Sequence, residues 1–237
     1  MKIARTYTIG FTVMLLSACG GANNATPTPS ANYDLQSGIK EMVTNGLSSN
    51  VALSGTVTVN GASTPFTGSG TFMRPAATTT TFDGTSASSQ TTTVAGTVTA
   101  AGQSTPYSTS VTDYYVASDG AFLGEVSSSE YDVAQAPILF PTSVVGGSSG
   151  ILGTLSRYKD STMSVSLGTV QISYDVVLAP VDPGSPIGVA VTAKIYDTQN
   201  TIVETDITNY TMTSGGVISF SGASAQNQSG MLTVTAN

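Results

Sequence analysis

The chain has 237 residues, with seven Lys and Arg against fourteen Asp and Glu, no His, no Trp and one Cys. A net charge of −7 with scattered bases excludes the clustered Lys and Arg that nucleic acid requires and argues against docking onto anionic lipid head groups. The missing histidine removes the commonest general base and transition-metal ligand, and a single cysteine cannot form a disulfide within the chain.

The first element is a leader. Lys2 and Arg5 precede an apolar run over 7–16, followed by Leu16-Ser17-Ala18-Cys19. A positive start, a short apolar middle and small residues before a cut make a secretory signal peptide. Thr6, Thr8, Gly10, Thr12 and Ser17 interrupt the run, which is far short of the roughly 20 apolar residues a spanning helix needs. Leu16, Ser17, Ala18 and Cys19 together resemble the lipobox of bacterial lipoproteins. The resemblance implies removal of residues 1–18, acylation of Cys19 (palmitate among the chains) and attachment to a membrane of the bacterial cell envelope. Gly20, where enterobacterial relatives retained at the inner membrane carry Asp, favours the outer membrane. One acyl chain anchors only marginally, but the family carries several on this cysteine. Residues 20–31 are small and polar with two prolines, the composition of a tether that cannot bury enough surface to order itself. After Cys19, five bases (Lys40, Arg74, Arg157, Lys159, Lys194) face fourteen acids, a net charge of −9.

Residues 32–237 read as a single β-rich domain. A helix is predicted over 33–46, where Leu35, Ile39, Met42, Val43 and Leu47 share one stripe. Asn32 or Asp34 caps its start and Asn45-Gly46 stops it. From Val51 the period becomes two: Val51, Leu53, Gly55, Val57 and Val59 alternate with small polar residues. Asn60-Gly61 signals a hairpin, with a return strand over 66–73. Residues 55–69 then recur as 96–110, with nine of fifteen positions identical and Phe66 matched by Tyr107. Two copies are too few for a propeller, so each is read as one hairpin of a meander. Residues 130–150, broken by Pro137, Pro141 and Gly146-Gly147-Ser148-Ser149-Gly150, read as a long connection. Strands resume over 154–158, 163–178, 188–196, 201–213, 217–220 and 231–235, with a bulge at Gly168-Thr169 and turns at Asp182-Pro183-Gly184, 197–200 and 214–216. The expected fold is mainly β: a large curved antiparallel sheet (barrel, half-barrel or sandwich, since wide open sheets curl or split) with one short N-terminal helix. The predicted core includes Leu53, Val57, Phe72, Val98, Val176, Val191, Ile207 and Leu232.

Chemistry-bearing motifs are weak. Gly146-Gly147-Ser148-Ser149-Gly150 matches the nucleophile pattern of hydrolases, which needs a strand-to-helix elbow and a histidine. Ser37/Lys40 and Ser156/Lys159 fit Ser-x-x-Lys, with no Lys-Thr-Gly companion. Glu125, Glu130 and Asp132, then Asp197, Glu204 and Asp206, cluster as a glycosidase pair would; without a tryptophan platform or a calcium loop they read as solvated strand faces and hairpin ends. Of Tyr114 and Tyr115, one should face the core and the other solvent, as a contact residue. The expectation is a non-enzymatic, lipid-anchored binding or structural module with no cofactor and no metal. The alternatives are a periplasmic carrier of lipid or apolar ligand, by analogy of element order alone, and a histidine-free hydrolase.

Overall fold

A computed structural model describes residues 32–59, 62–177 and 185–237. The lipobox, the tether, the Asn60-Gly61 turn and Asp182-Pro183-Gly184 lie outside the described residues. One helix, α1 (Leu35–Asn45), precedes thirteen strands: β1 (Leu47–Val59), β2 (Ala62–Arg74), β3 (Thr78–Phe82), β4 (Thr85–Ala100), β5 (Gln103–Val116), β6 (Phe122–Val126), β7 (Tyr131–Ile138), β8 (Ser149–Tyr158), β9 (Ser166–Val177), β10 (Ile187–Tyr196), β11 (Ile202–Met212), β12 (Ile218–Asn227) and β13 (Gly230–Ala236).

All strand pairings are antiparallel. From β4 to β13 each strand pairs with the next in the chain; β13 then pairs with β1, β1 with β2, and β2 with β4. The sheet therefore closes on itself as a twelve-stranded up-and-down barrel, with β3 an appendage on the first residues of β4. Closure satisfies the strand edges that an open sheet of this width would leave bare. Of the three shapes the sequence allowed, the barrel forms.

Period-two alternation fills the interior. Val51, Leu53, Phe72, Val98, Val170, Val176, Tyr210, Leu232 and Val234 are buried in one core. Phe72 of β2 stacks on Phe220 of β12, with ring centroids 3.9 Å apart, across strands that are not neighbours. The outward faces are Ser- and Thr-rich, as in Ser54, Thr56 and Thr58 of β1 or Thr169, Gln171 and Ser173 of β9. That distribution is the inverse of a membrane-spanning barrel, which is apolar outside.

Five of the eight predicted core residues are buried, while Val57 and Val191 are partly so. Ile207 is a correction: the inward phase of β11 belongs to Asp206, Tyr210 and Met212, so Ile207 faces out, half-buried. The 130–150 stretch is a second correction. Residues 131–138 are strand β7, and only 139–148 connect. The bulge at Gly168 forms as expected, with Leu167 squeezed between the partners of Arg157 and Tyr158 and Gly168 at φ +119°.

Helix α1 closes one end of the barrel. Asp34 caps it, its carboxylate accepting from Ser37 N at 2.9 Å. Gly46 ends it at φ +76°, donating to Met42 O at 2.8 Å. Leu35, Ile39, Met42 and Val43 point into the core. Loops of the same rim hold the helix: Tyr33 pairs with Val144, Leu35 N donates to Pro141 O, Lys40 Nζ donates to Ser118 O at 2.8 Å, and Gly38 fits beneath the Ile218 side chain.

Candidate functional site

Three features of this barrel carry chemistry: a polar row inside the wall, a small cavity beneath α1, and a groove at the opposite end. The polar row follows from strand register. Gln90 pairs with Asp113, Asp113 with Glu125, Glu125 with Asp132, and Asp132 with Arg157, across β4 to β8. Directly opposed residues share a face, so all five project inward. Gln90, Asp113, Asp132 and Arg157 are buried.

The ends of the row are held by guanidinium groups. Arg74 donates from Nε to Gln90 Oε1 and from Nη2 to Asp113 Oδ2, both at 2.6 Å, and hydrogen-bonds the Tyr115 hydroxyl. Gln90 Nε2 in turn donates to Met42 O at 3.1 Å and to Pro75 O at 2.9 Å, so the network ties the last turn of α1 to the wall. At the other end Arg157 grips Glu130 through Nε and Nη2, at 3.1 and 2.7 Å, and donates to the carbonyls of Leu167 and Tyr196. Burial pushes the Tyr115 hydroxyl well above the usual phenol range, partly offset by the Arg74 charge; burial raises Tyr210 in the same way.

The acids are therefore mostly not the solvated faces that the sequence suggested. Asp132 and Asp206 are fully buried, and Glu130 is ion-paired and only slightly exposed. Asp197 alone behaves as a hairpin end, its Oδ1 accepting from Gln199 N and Thr201 N. The structure brings Glu125 and Asp132 together and adds Asp113, which clustering along the sequence missed because its partnership is across strands.

The other motifs are separated. Ser156 and Lys159 lie on and just after a strand, where residues three apart face opposite ways. Ser37 Oγ donates to Asp34 while Lys40 is engaged with Ser118. Ser148 sits in a turn before β8, with no helix following. Of the two adjacent tyrosines, Tyr115 is the one in the core. Tyr114 takes the outer face but is not left to solvent: it is stacked under Phe82 at 4.2 Å in a small second cluster on the outer wall, built where β3 folds over β5 and β6.

The cavity beneath α1 holds about 120 Å³, lined by Ile39 and Met42 of the helix, by apolar wall residues such as Leu155, Ile172 and Ile195, and by Arg74, Asp113, Glu125 and Asp206 on its polar side. The groove is larger, about 660 Å³, and lies at the end away from the helix. Val57, Phe66, Val98 and Tyr107 are its apolar lining, with Thr105, Ser108 and Ser110 of β5 and Ser128 of the β6–β7 turn as its polar lining. The internal repeat builds the apolar lining. Its two hairpins, β1–β2 and β4–β5, meet along the β2–β4 seam, and the matched aromatics each stand opposite a glycine, Phe66 opposite Gly55 and Tyr107 opposite Gly96. An aromatic ring laid over a cross-strand glycine covers the backbone that the glycine exposes.

Beside the groove runs an open strand edge. Strand β6 is only five residues long and pairs with β5 over residues 112–115. Among the described residues no strand pairs with that side of β5 over 103–111. The β4–β5 loop is Ala101-Gly102, both at positive φ (+48° and +77°), a two-residue turn whose flanking pair, Ala100 and Gln103, is hydrogen-bonded. Alternation from that pair turns the backbone of Tyr107, Thr109 and Val111 toward β4, and that of Ser104, Pro106, Ser108 and Ser110 toward the groove. Pro106 fits this phase, because it has no N–H to give β4.

These features define a helix-capped, closed antiparallel barrel with a filled interior and one open end. No protein-family model matches the chain, and no curated protein does. Among solved structures it is similar to the crystal structure of a DUF1329 family protein from Desulfovibrio piger, at 10% identity over 86% of this chain and 92% of that one, with a TM-score of 0.25. A likeness at that level carries no argument.

Proposed function

We propose that this chain is a lipid-anchored, non-enzymatic binding module of a bacterial envelope, held at the outer membrane through Cys19, with its binding face at the open end of the barrel. The observation that carries this reading is the polarity of the barrel. The chain enters the described domain at Tyr33, on the helix-closed end, while the groove lies at the other. A tether over residues 20–31 reaches at most about 40 Å and joins the domain at the closed end, so the groove lies at the end opposite the anchor. The carboxylates favour binding over hydrolysis: those brought together are built into the wall, under the helix. A long-chain lipid carrier is less well supported, because the space beneath α1, about 120 Å³, is smaller than the roughly 150 Å³ apolar cavity that admits benzene.

The test is the intact mass of the native protein extracted from membranes. The expected mass is that of a chain beginning at Cys19 with acyl groups added, and Cys19→Ser is expected to leave the leader uncut and the mass free of lipid. A bare Cys19 thiol in the native product would overturn the anchor.

A further inference from the structure

We propose that the open edge of β5 receives an extended, uncharged segment of a partner polypeptide as an added strand. The proposal rests on the reading of the open end as the binding face and names its ligand class. The edge offers the N–H groups of Ser104, Ser108 and Ser110 and the carbonyls of these residues and Pro106, all turned to one side. Donors and acceptors at strand spacing are answered by another extended backbone. An added strand continues the barrel wall and lays every second side chain over Phe66, Val98 and Tyr107.

The edge carries no charge. Free strand edges in natural proteins are kept short, studded with charge or interrupted by proline; here Pro106 withholds one outward N–H and leaves those of Ser104, Ser108 and Ser110. The outer edge of β3 is short, five residues. Residues 103–111 contain no Lys, Arg, Asp or Glu in an otherwise acidic chain, and no charged side chain lines the groove. The partner segment is therefore uncharged. Ser128 of the β6–β7 turn follows Val126, which pairs with Thr112, so the turn bounds the open stretch at its inner end.

The test selects displayed nine-residue peptides on detergent-solubilised full-length protein. The expected winners are uncharged and alternate small with apolar residues, and they slow amide exchange at Ser104, Ser108 and Ser110 at least tenfold. Ser108→Pro removes one outward N–H without touching the β4 ladder and is expected to weaken binding at least tenfold, while Ser108→Ala leaves it unchanged. A winning peptide N-methylated at alternate residues is expected to fail on the unaltered protein, a check independent of how the proline variant folds. No enrichment, or undiminished binding by Ser108→Pro or the methylated peptide, would overturn the proposal. Sedimentation showing a dimer that Ser108→Pro dissolves would overturn it in favour of a second copy. If peptides fail but a soluble oligosaccharide shifts the Tyr107 amide, the peptide assignment falls and the binding face stands.

Discussion

Asp34 and Gly46 show how single residues set the closed end of the barrel. Asp34 caps α1, and its carboxyl is held below the ordinary range by the Ser37 backbone N–H and then the Ser37 hydroxyl. Its stabilisation is therefore present above the unfolded pKa and is lost as pH falls through the lower folded value. Asp34→Ala is expected to lower unfolding free energy by about 1 kcal/mol at neutral pH, with the difference shrinking in acid; denaturant melts at two pH values check this. A Cβ at Gly46 would lie 2.5 Å from Arg74 O at a positive φ, so Gly46→Ala strains both helix and wall. At the alkaline end, Tyr115 and Tyr210 are both raised by burial. Raised phenols keep their stabilisation below the unfolded pKa of about 10 and lose it as pH climbs toward the folded value. Stability is expected to fall steeply above pH 10, and Tyr210→Phe should flatten that fall in melts followed by circular dichroism.

At the scale of elements, α1 and the wall are joined through one polar network. Gln90 binds the carbonyls of Met42 and Pro75, and Arg74 binds Gln90, Asp113 and Tyr115. Removing one partner of a buried ion pair leaves the other uncompensated, so Arg74→Ala is expected to cost about 3–5 kcal/mol, against about 1–3 for Gln90→Leu. Within the polar row Glu125 stands between Asp113 and Asp132. Like charges directly opposed across strands repel by up to about 1 kcal/mol. Glu125→Gln is expected to stabilise by that order, measured by chemical denaturation.

For the whole molecule, the decisive event is closure of β2 onto β4. Gly70 pairs with Gly96 there, and a Cβ on Gly70 would sit 2.2 Å from Ala95 O. Gly70→Val is expected to destabilise by about 2 kcal/mol or more and to promote association through the edges it frees, seen as a lower melting temperature together with larger species in sedimentation.

The elements were legible because they depend on local patterning. The helix stripe, its caps, most strands and the Gly168 bulge follow from periods of 3.6 and 2 and from glycine placement. The repeat over 55–69 and 96–110 pointed at two hairpins, and the apolar lining of the groove is made of them. Local pattern also misled at Ile207, where an apolar side chain sits outside and Asp206 inside, because the pairing of β11 within the closed sheet sets which phase faces in. The polar row, the opposite placement of helix and groove, and the bare β5 edge exist only in the tertiary structure. Each depends on which strands stand side by side, in what register and of what relative length, and a strand of five residues beside one of fourteen leaves a gap that neither sequence announces alone. Sequence by itself determined which segments would be helix and strand; the closing of the sheet decided what those segments face.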